Sequence, residues 1–277
     1  MNFRGKNVLI TGGSRGIGLA VSEALARKCA NITIIARDIE RLNKAVDIIK
    51  NARMETDQTI NGIPLDVTSS RDVMEKIGGF ITENGAPDIV INSAGFAHPG
   101  NIEDLPLEIF HKTMNVNYFG TVNIIKAVLP AMLEKKTGLI VNISSVSGFL
   151  GIYGYTAYSG SKFAVTGFSD ALRNELKPRG IDVAIVFPPD TDTEQLAYES
   201  KFKPAVTKEI AGSAGLMTPQ AVAAGIVRGI ERHQYIITPG FEPSMIYWLQ
   251  NFMGNVTFKV LDHMSLKAYK KYKNGNL

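Results

Sequence analysis

The chain has 277 residues, room for one large α/β unit, and contains no linker, repeat or low-complexity stretch, so a single domain over residues 1–277 is expected. Its one cysteine, Cys29, excludes an intrachain disulfide, and the four histidines are scattered, so no metal site is expected. The net charge of +4 resides in Ser265–Leu277, which carries Lys267, Lys270, Lys271 and Lys273 and no acid; the remainder is balanced, which argues against a nucleic-acid surface.

Met1 to Lys6 leads into the first apolar run without a targeting segment, so a cytoplasmic protein is expected. No uninterrupted apolar run reaches bilayer-spanning length. Val8–Thr11 reads as a strand. It is followed by Thr11-Gly12-Gly13-Ser14-Arg15-Gly16-Ile17-Gly18 and by an amphipathic segment, Ile17–Cys29. Strand, glycine loop and helix in succession form the context of a dinucleotide-binding turn. Glycine lets the backbone approach a pyrophosphate, whose charge meets a helix N-terminus. Gly12, Ser14, Arg15, Gly16, Ile17 and Gly18 are therefore candidate cofactor contacts.

Six more apolar runs follow: Ile32–Ala36, Ile60–Leu65, Ile89–Asn92, Leu139–Ile143, Val183–Phe187 and Tyr235–Thr238. Helical stretches separate them, about Ile39–Asn51, Ser69–Glu83, Leu107–Glu134, Thr156–Lys177 and Pro219–Arg232. Apolar continuity without alternation suits strands covered on both faces. The alternation of strand and helix predicts a Rossmann-like, doubly wound α/β fold: a seven-stranded, mainly parallel sheet with helices on both faces. The second strand ends in Ala36-Arg37-Asp38. A carboxylate there favours NAD, whereas a basic group accommodates the 2′-phosphate of NADP. Arg37 with Arg15 could clamp a phosphate, so NADP(H) is the expected cofactor, while Asp38 could instead pair with Arg41.

The reactive groups lie past the fifth strand. Ser145 sits in Ser144-Ser145-Val146-Ser147-Gly148, and Tyr158 and Lys162 stand one helical turn apart in Tyr158-Ser159-Gly160-Ser161-Lys162. An ammonium beside a phenol lowers its pKa from about 10. With a serine to hold a carbonyl oxygen, the three groups could protonate that oxygen as hydride arrives. The same Tyr-x-x-x-Lys spacing recurs at Tyr269 and Lys273, in the basic tail and without a partner serine.

Taken together these motifs resemble the short-chain dehydrogenase/reductase family over nearly the whole chain. Asn92-Ser93-Ala94-Gly95 looks like the family's Asn-Asn-Ala-Gly, and Met114–Gly120 like the segment that supplies a catalytic asparagine, here placed on Asn117. The resemblance implies a catalytic set of Asn117, Ser145, Tyr158 and Lys162. It adds cofactor contacts at Asp66, Val67, Asn92, Ala94, Gly95, Tyr158, Lys162, Pro188, Thr191 and Thr193, although Asp66 could instead be a helix cap near Thr68. It also implies a homo-oligomer, dimer or tetramer, through the helices near 107–134 and 156–177. Where the family has Pro-Gly, this chain has Pro188-Pro189-Asp190-Thr191-Asp192-Thr193. That string is similar to one in a narrower group that reduces long-chain 3-keto sphingoid bases with NADPH.

Residues 190–217 are polar and rich in Lys and Glu, and read as a mobile lid or an inert surface excursion. Residues 241–277 join an aromatic-rich apolar segment to the lysine tail. At helical spacing Ile246, Leu249, Met253 and Val256 form one apolar face. That face packs over the pocket or in a subunit interface, or else meets a membrane peripherally beside the lysines. The expected function is NADPH-dependent reduction of a small, lipophilic ketone. A steroid, a 3-oxoacyl thioester or a retinoid is an alternative substrate, and a noncatalytic NADPH-binding sensor is the reading from another class.

Overall fold

The computed structural model describes residues 1–212 and 215–275. Residues 213–214 of the expected lid and 276–277 of the expected tail lie outside the described residues.

Seven strands form one sheet: β1 (Asn7–Thr11), β2 (Asn31–Ala36), β3 (Ile60–Pro64), β4 (Ile89–Asn92), β5 (Gly138–Ile143), β6 (Ile181–Val186) and β7 (Ile236–Ile237). Their order is β3-β2-β1-β4-β5-β6-β7, and every ladder is parallel. The chain moves outward from β1 to β3 and then returns to place β4 on the other side of β1. That reversal opens a crevice at the strand C-termini, where doubly wound sheets bind ligands.

Successive side chains of a strand face opposite ways. Val8 and Ile10 of β1 therefore join one core with α1 (Gly16–Ala26), α2 (Ile39–Ala52) and, farther along the chain, Pro219–Glu231. Leu9 joins the other core, with α3 (Ser70–Asn84) and the helices that follow it. Of these, α4 (Leu107–Met114) and α5 (Gly120–Lys135) run as one rod joined by a π-helical turn at Asn115–Phe119, and α6 (Thr156–Leu176) lies beside them. Among the described residues this rod is the one stretch long and apolar enough to cross a membrane by length and composition, although Glu108, Lys112 and Lys126 interrupt it, so no uninterrupted apolar run of that length is present. Ile124, Ile125, Val128 and Met132 account for that apolarity by filling the second core.

The expected lid contains two short helices, α7 (Glu194–Glu199) and α8 (Ala205–Ala211), and its ends meet in a bridge between Thr191 and Met217. After α9 (Pro219–Glu231) and β7 the chain ends in two helices, α10 (Phe241–Met253) and α11 (Val256–Lys273). The expected continuous apolar face is broken between them. Gly254 turns the chain at φ +52° and ψ −123°, so Val256 begins a new helix and is 47% exposed.

Candidate active site

One cavity of about 1050 Å³ runs across the strand C-termini. Its first end is built from backbone. Gly12 has φ +66°, and a Cβ there would lie 2.8 Å from the Ala94 backbone. A Cβ at Gly18 would lie 2.3 Å from the Gly12 carbonyl oxygen. Thr11 Oγ1 accepts from the amides of Ser93 and Ala94, at 3.1 and 3.0 Å, and so ties the loop after β4 to the glycine turn. The result is a trough of main chain opening at the N-terminus of α1, which fits the pyrophosphate of a dinucleotide. Gly12, Ser14, Arg15, Gly16, Ile17, Gly18, Arg37, Asp66, Val67, Ala94 and Gly95 all line the cavity, as do Pro188, Thr191 and Thr193.

Asn92 is an exception among the expected contacts. It is buried behind the wall, where its carboxamide donates to Asn142 Oδ1 at 2.9 Å. Asn142 in turn donates to Ser169 Oγ at 2.9 Å, so Asn92 belongs to a polar thread joining β4, β5 and α6. Its own Oδ1 has no protein partner.

The cationic corner is more crowded than the expected pair of arginines. Arg37 lies 3.5 Å from Asp66, and Arg15 lies 3.3 Å from Glu194. Arg41, which the sequence reading treated only as a partner for Asp38, pairs with Asp38 at 3.4 Å and with Glu194 at 2.8 Å. Asp38 also caps α2 by accepting from the Arg41 amide. Asp66 accepts from both the amide and the hydroxyl of Thr68, at 2.9 and 2.8 Å. Burial pulls its carboxyl up, but those bonds and Arg37 together hold it below the usual carboxylate range. Asp66 thus lines the cavity and holds the turn at Thr68, while the helix cap itself is Ser69, which accepts from the Asp72 amide.

At the centre of the cavity stand Ser145, Tyr158 and Lys162. Ser145 begins a 3₁₀ turn at Val146–Gly148, just past β5, and its Oγ accepts from the Ser147 amide at 3.1 Å. Tyr158 and Lys162 come from the first turns of α6, with the Lys162 Nζ 5.6 Å from the Tyr158 ring centroid. The ammonium is bonded to the Ile143 carbonyl at 2.8 Å. The expected lysine-driven lowering of the phenol is not what this arrangement produces. Burial pushes Tyr158 well above its ordinary value, Glu199 adds to the rise, and a hydrogen bond from Ser145 opposes it. Lys162 is itself pushed down to about 8 by burial.

Asn117 lies in the π turn and is 1% exposed, beside the cavity wall rather than on it. Its Oδ1 accepts from the Phe96 amide at 2.8 Å, and its Nδ2 donates to the Phe96 carbonyl at 3.0 Å and to Ser161 Oγ at 2.8 Å. It therefore fastens the loop after β4 to α6. A Cβ on Gly95 would sit 3.6 Å from Asn117 Oδ1 and 3.8 Å from Lys162 Nζ, so Asn117 and Lys162 flank that glycine together.

The far end is lined by residues of α7, α8 and the C-terminal helices. Ile246 and Leu249 of α10 and Val260, Leu261 and Met264 of α11 make an apolar wall. The cavity is also lined by a polar group that sequence reasoning missed. Tyr155 donates to Glu199 Oε2 at 2.6 Å, Gln195 donates to Glu199 Oε1 at 3.0 Å, and Lys203 stands 3.3 Å from Asp190. The available signal was slight: Gln195 and Glu199 share a helix face at i,i+4 spacing.

A family model described as short chain dehydrogenase matches residues 6–203. The chain is 36% identical over 254 residues to the 3-ketodihydrosphingosine reductase of Mus musculus, covering 91% of this chain and 76% of that protein. It is 34% identical over 302 residues to the enzyme of the same name from Dictyostelium discoideum, covering 97% and 90%. Among solved structures, a short-chain dehydrogenase from Sphingobium yanoikuyae in complex with NADPH is similar with a TM-score of 0.76 and 26% identity, covering 91% of this chain and 94% of that one.

Proposed function

The chain belongs to the short chain dehydrogenase family, and from that premise we propose that it reduces the ketone of 3-ketodihydrosphingosine with NADPH, a step of sphingolipid synthesis. The observation that carries the reading is the meeting of Ser145, Tyr158 and Lys162 on the wall of a cavity that has a main-chain trough at one end and an apolar wall at the other. The names of the relatives supply the substrate, and the complex of the Sphingobium yanoikuyae protein supports the cofactor.

The glycine trough and α1 N-terminus would hold the pyrophosphate, and Arg15, Arg37 and Arg41 the 2′-phosphate. NADPH, when bound, supplies the hydride delivered to the carbonyl carbon. Tyr158 donates its phenolic proton to the carbonyl oxygen. A phenol, with an ordinary pKa of about 10, holds that proton at neutral pH. Ser145 positions the oxygen by hydrogen bonding. Lys162 would hold ribose hydroxyls, and its positive charge, which does not outweigh burial at Tyr158 in the free protein, would favour the phenolate left behind. Asn117 positions Lys162 by locking the loop after β4 onto α6, and would hold a water that links Lys162 to solvent.

The long alkyl chain would lie against Ile246, Leu249, Val260 and Leu261. The outer surface of α10 supports peripheral membrane contact, because Phe241, Trp248 and Phe252 are 82%, 60% and 76% exposed. Half-exposed Phe119 and Phe163, on the α4–α5 rod and α6, support a homo-oligomer through that face.

The test is direct. Purified protein mixed with NADPH and 3-ketodihydrosphingosine should consume reduced-nicotinamide absorbance only when both are present, and should yield the amino diol. Consumption of NADPH with a simple ketone panel but never with this substrate would move the reading to another hydrophobic ketone.

A further inference from the structure

A 3-keto sphingoid base carries a primary amine on the carbon next to the ketone, so a pocket for it needs an anionic group close to the proton donor. The inference here rests on the proposed reductase reading and concerns what recognises that amine. Glu199, on α7, is 7% exposed yet lines the cavity. Its carboxylate accepts one bond from Tyr155 and one from Gln195. An ionised carboxylate has about four acceptor sites, so two remain for a donor arriving from the cavity. The Tyr155 ring, which carries the first of these donors, lies 5.9 Å from the Tyr158 ring. The acid is therefore held within one aromatic ring of the reacting phenol.

The surrounding charges leave room for a ligand cation. Lys203 is nearly buried and pairs with Asp190 at 3.3 Å, so its ammonium is engaged by the other carboxylate of the group. Lys162, the second lysine at this end, is bonded to the Ile143 carbonyl. A buried carboxylate with only neutral donors is costly unless something charged completes it. Burial pushes Glu199 up, and although the bonds from Tyr155 and Gln195 and the charge of Lys203 all oppose it, they do not outweigh burial, so the carboxylate is not fully compensated. A merely structural role is the competing account: Glu199 would do no more than pin α7 to the start of α6 through Tyr155. The two accounts differ in which substrate suffers when the charge is removed.

We propose that Glu199, backed by Asp190, receives the ammonium group adjacent to the substrate ketone and so selects amino ketones over otherwise identical simple ketones. The test uses the full chain, NADPH and two long-chain 3-ketones that share the 1-hydroxyl and differ only in the 2-amino group. Equilibrium binding of the corresponding amino diol and of its deaminated counterpart gives a second readout that needs no turnover. Charge-assisted bonds of this kind predict that Glu199→Gln lowers the wild-type preference for the amino ketone, as a kcat/KM ratio, by about tenfold or more. The loss should fall mainly in KM, and preference for the amino diol in binding should fall alike. Glu199→Asp, which keeps the charge, should retain most of the preference.

Equal losses on both ketones, or an unchanged ratio in a Glu199→Gln protein that still binds NADPH, would overturn the assignment and leave the pinning role. So would a Glu199→Asp protein that loses as much preference as Glu199→Gln. Failure of the wild type to reduce either ketone would sink the reductase reading instead, and the amino diol binding ratio would then decide Glu199 by itself.

Discussion

The two ends of the cavity are built by different means. At the dinucleotide end the wall is main chain: Gly12 and Gly18 stand where any Cβ would collide with backbone, and Thr11 bonds two amides of the next loop. At the substrate end the wall is side chain, supplied by α7, α10 and α11 after the sheet is almost complete. A backbone wall leaves few choices of residue, whereas a side-chain wall can change its specificity without disturbing the fold. The reacting groups Ser145, Tyr158 and Lys162 stand at the junction, so a substitution there should damage chemistry while sparing both ends.

The largest effect is expected at that junction. Tyr158→Phe removes the proton donor and should lower kcat by about 10²–10⁴-fold. NADPH affinity should stay within about threefold, because the ring and its packing remain. Near-normal turnover by a folded Tyr158→Phe protein, followed by NADPH absorbance, would remove the central claim.

Next comes the main-chain trough. Gly12→Ala forces a side chain into a left-handed backbone and toward the Ala94 backbone 2.8 Å away. The backbone strain alone costs about 1–3 kcal/mol, and relief of the clash must widen the trough. NADPH titration should show at least about tenfold weaker binding and thermal unfolding a lower midpoint. Gly160→Ala on α6, whose added Cβ meets nothing within 4 Å, is the control: it should leave NADPH binding unchanged and hold or slightly raise the midpoint, since alanine favours a helix interior over glycine. Equal behaviour of the two variants would mean that close approach is not what Gly12 provides.

The same contrast explains what could be read from the chain. The central strands stood out because both their faces are buried, edge strand β3 being partly exposed, and observed boundaries moved by one or two residues at most, outward as at Gly138 and Ile181 and inward at both ends of β7. The catalytic trio and glycine turn were legible because their spacing is local to a helix or a turn. The π turn at Asn115–Phe119 was not, since one extra residue in a helix leaves no mark on composition. Asn92 was placed at the cofactor by its motif, but Asn142, fifty residues later, holds it behind the wall. Glu199 stayed hidden because its burial depends on Tyr155, forty-four residues earlier, and nothing local distinguishes it from a solvated acid. The turn at Gly254 carried a fair signal, a glycine, that the apolar periodicity on either side obscured.

A smaller effect separates the two nicotinamide cofactors at the backbone end. Arg37 is paired with Asp66 at its exposed edge. Exchanging such a pair for a phosphate sacrifices little, because exposed ion pairs contribute about 0–1 kcal/mol. Arg37→Ala should therefore cost NADPH about 1.5–3 kcal/mol, the range of a charge-assisted contact, and leave NADH nearly unmoved. Competition titrations with both cofactors measure this. Parallel weakening would show that Arg37 supports the turn and does not read the phosphate.

The smallest effect per residue belongs to the outer rim of the substrate end. Trp248 and Phe252 stack at 5.1 Å on the exposed side of α10, and the last turn of α11 carries Lys270, Lys271 and Lys273. Lys271 is engaged by Glu209, so Lys267, Lys270 and Lys273 are the cations to vary. Each lysine near an anionic surface contributes about 1 kcal/mol, which is roughly fivefold in affinity. Replacing these three with glutamine should reduce cosedimentation with phosphatidylserine-containing vesicles in a graded way at low salt. High salt should erase the difference, because exposed charges are screened beyond about 8–10 Å. Turnover of a short, water-soluble ketone should change by less than about twofold, since these lysines lie outside the cavity. Trp248→Ala should weaken vesicle binding further without restoring salt dependence, because its contribution is burial of apolar area and not charge. If the wild type ignores vesicles at low salt, and Trp248→Ala instead lowers the mass of an oligomer in sedimentation, the aromatic rim of α10 belongs to a subunit interface.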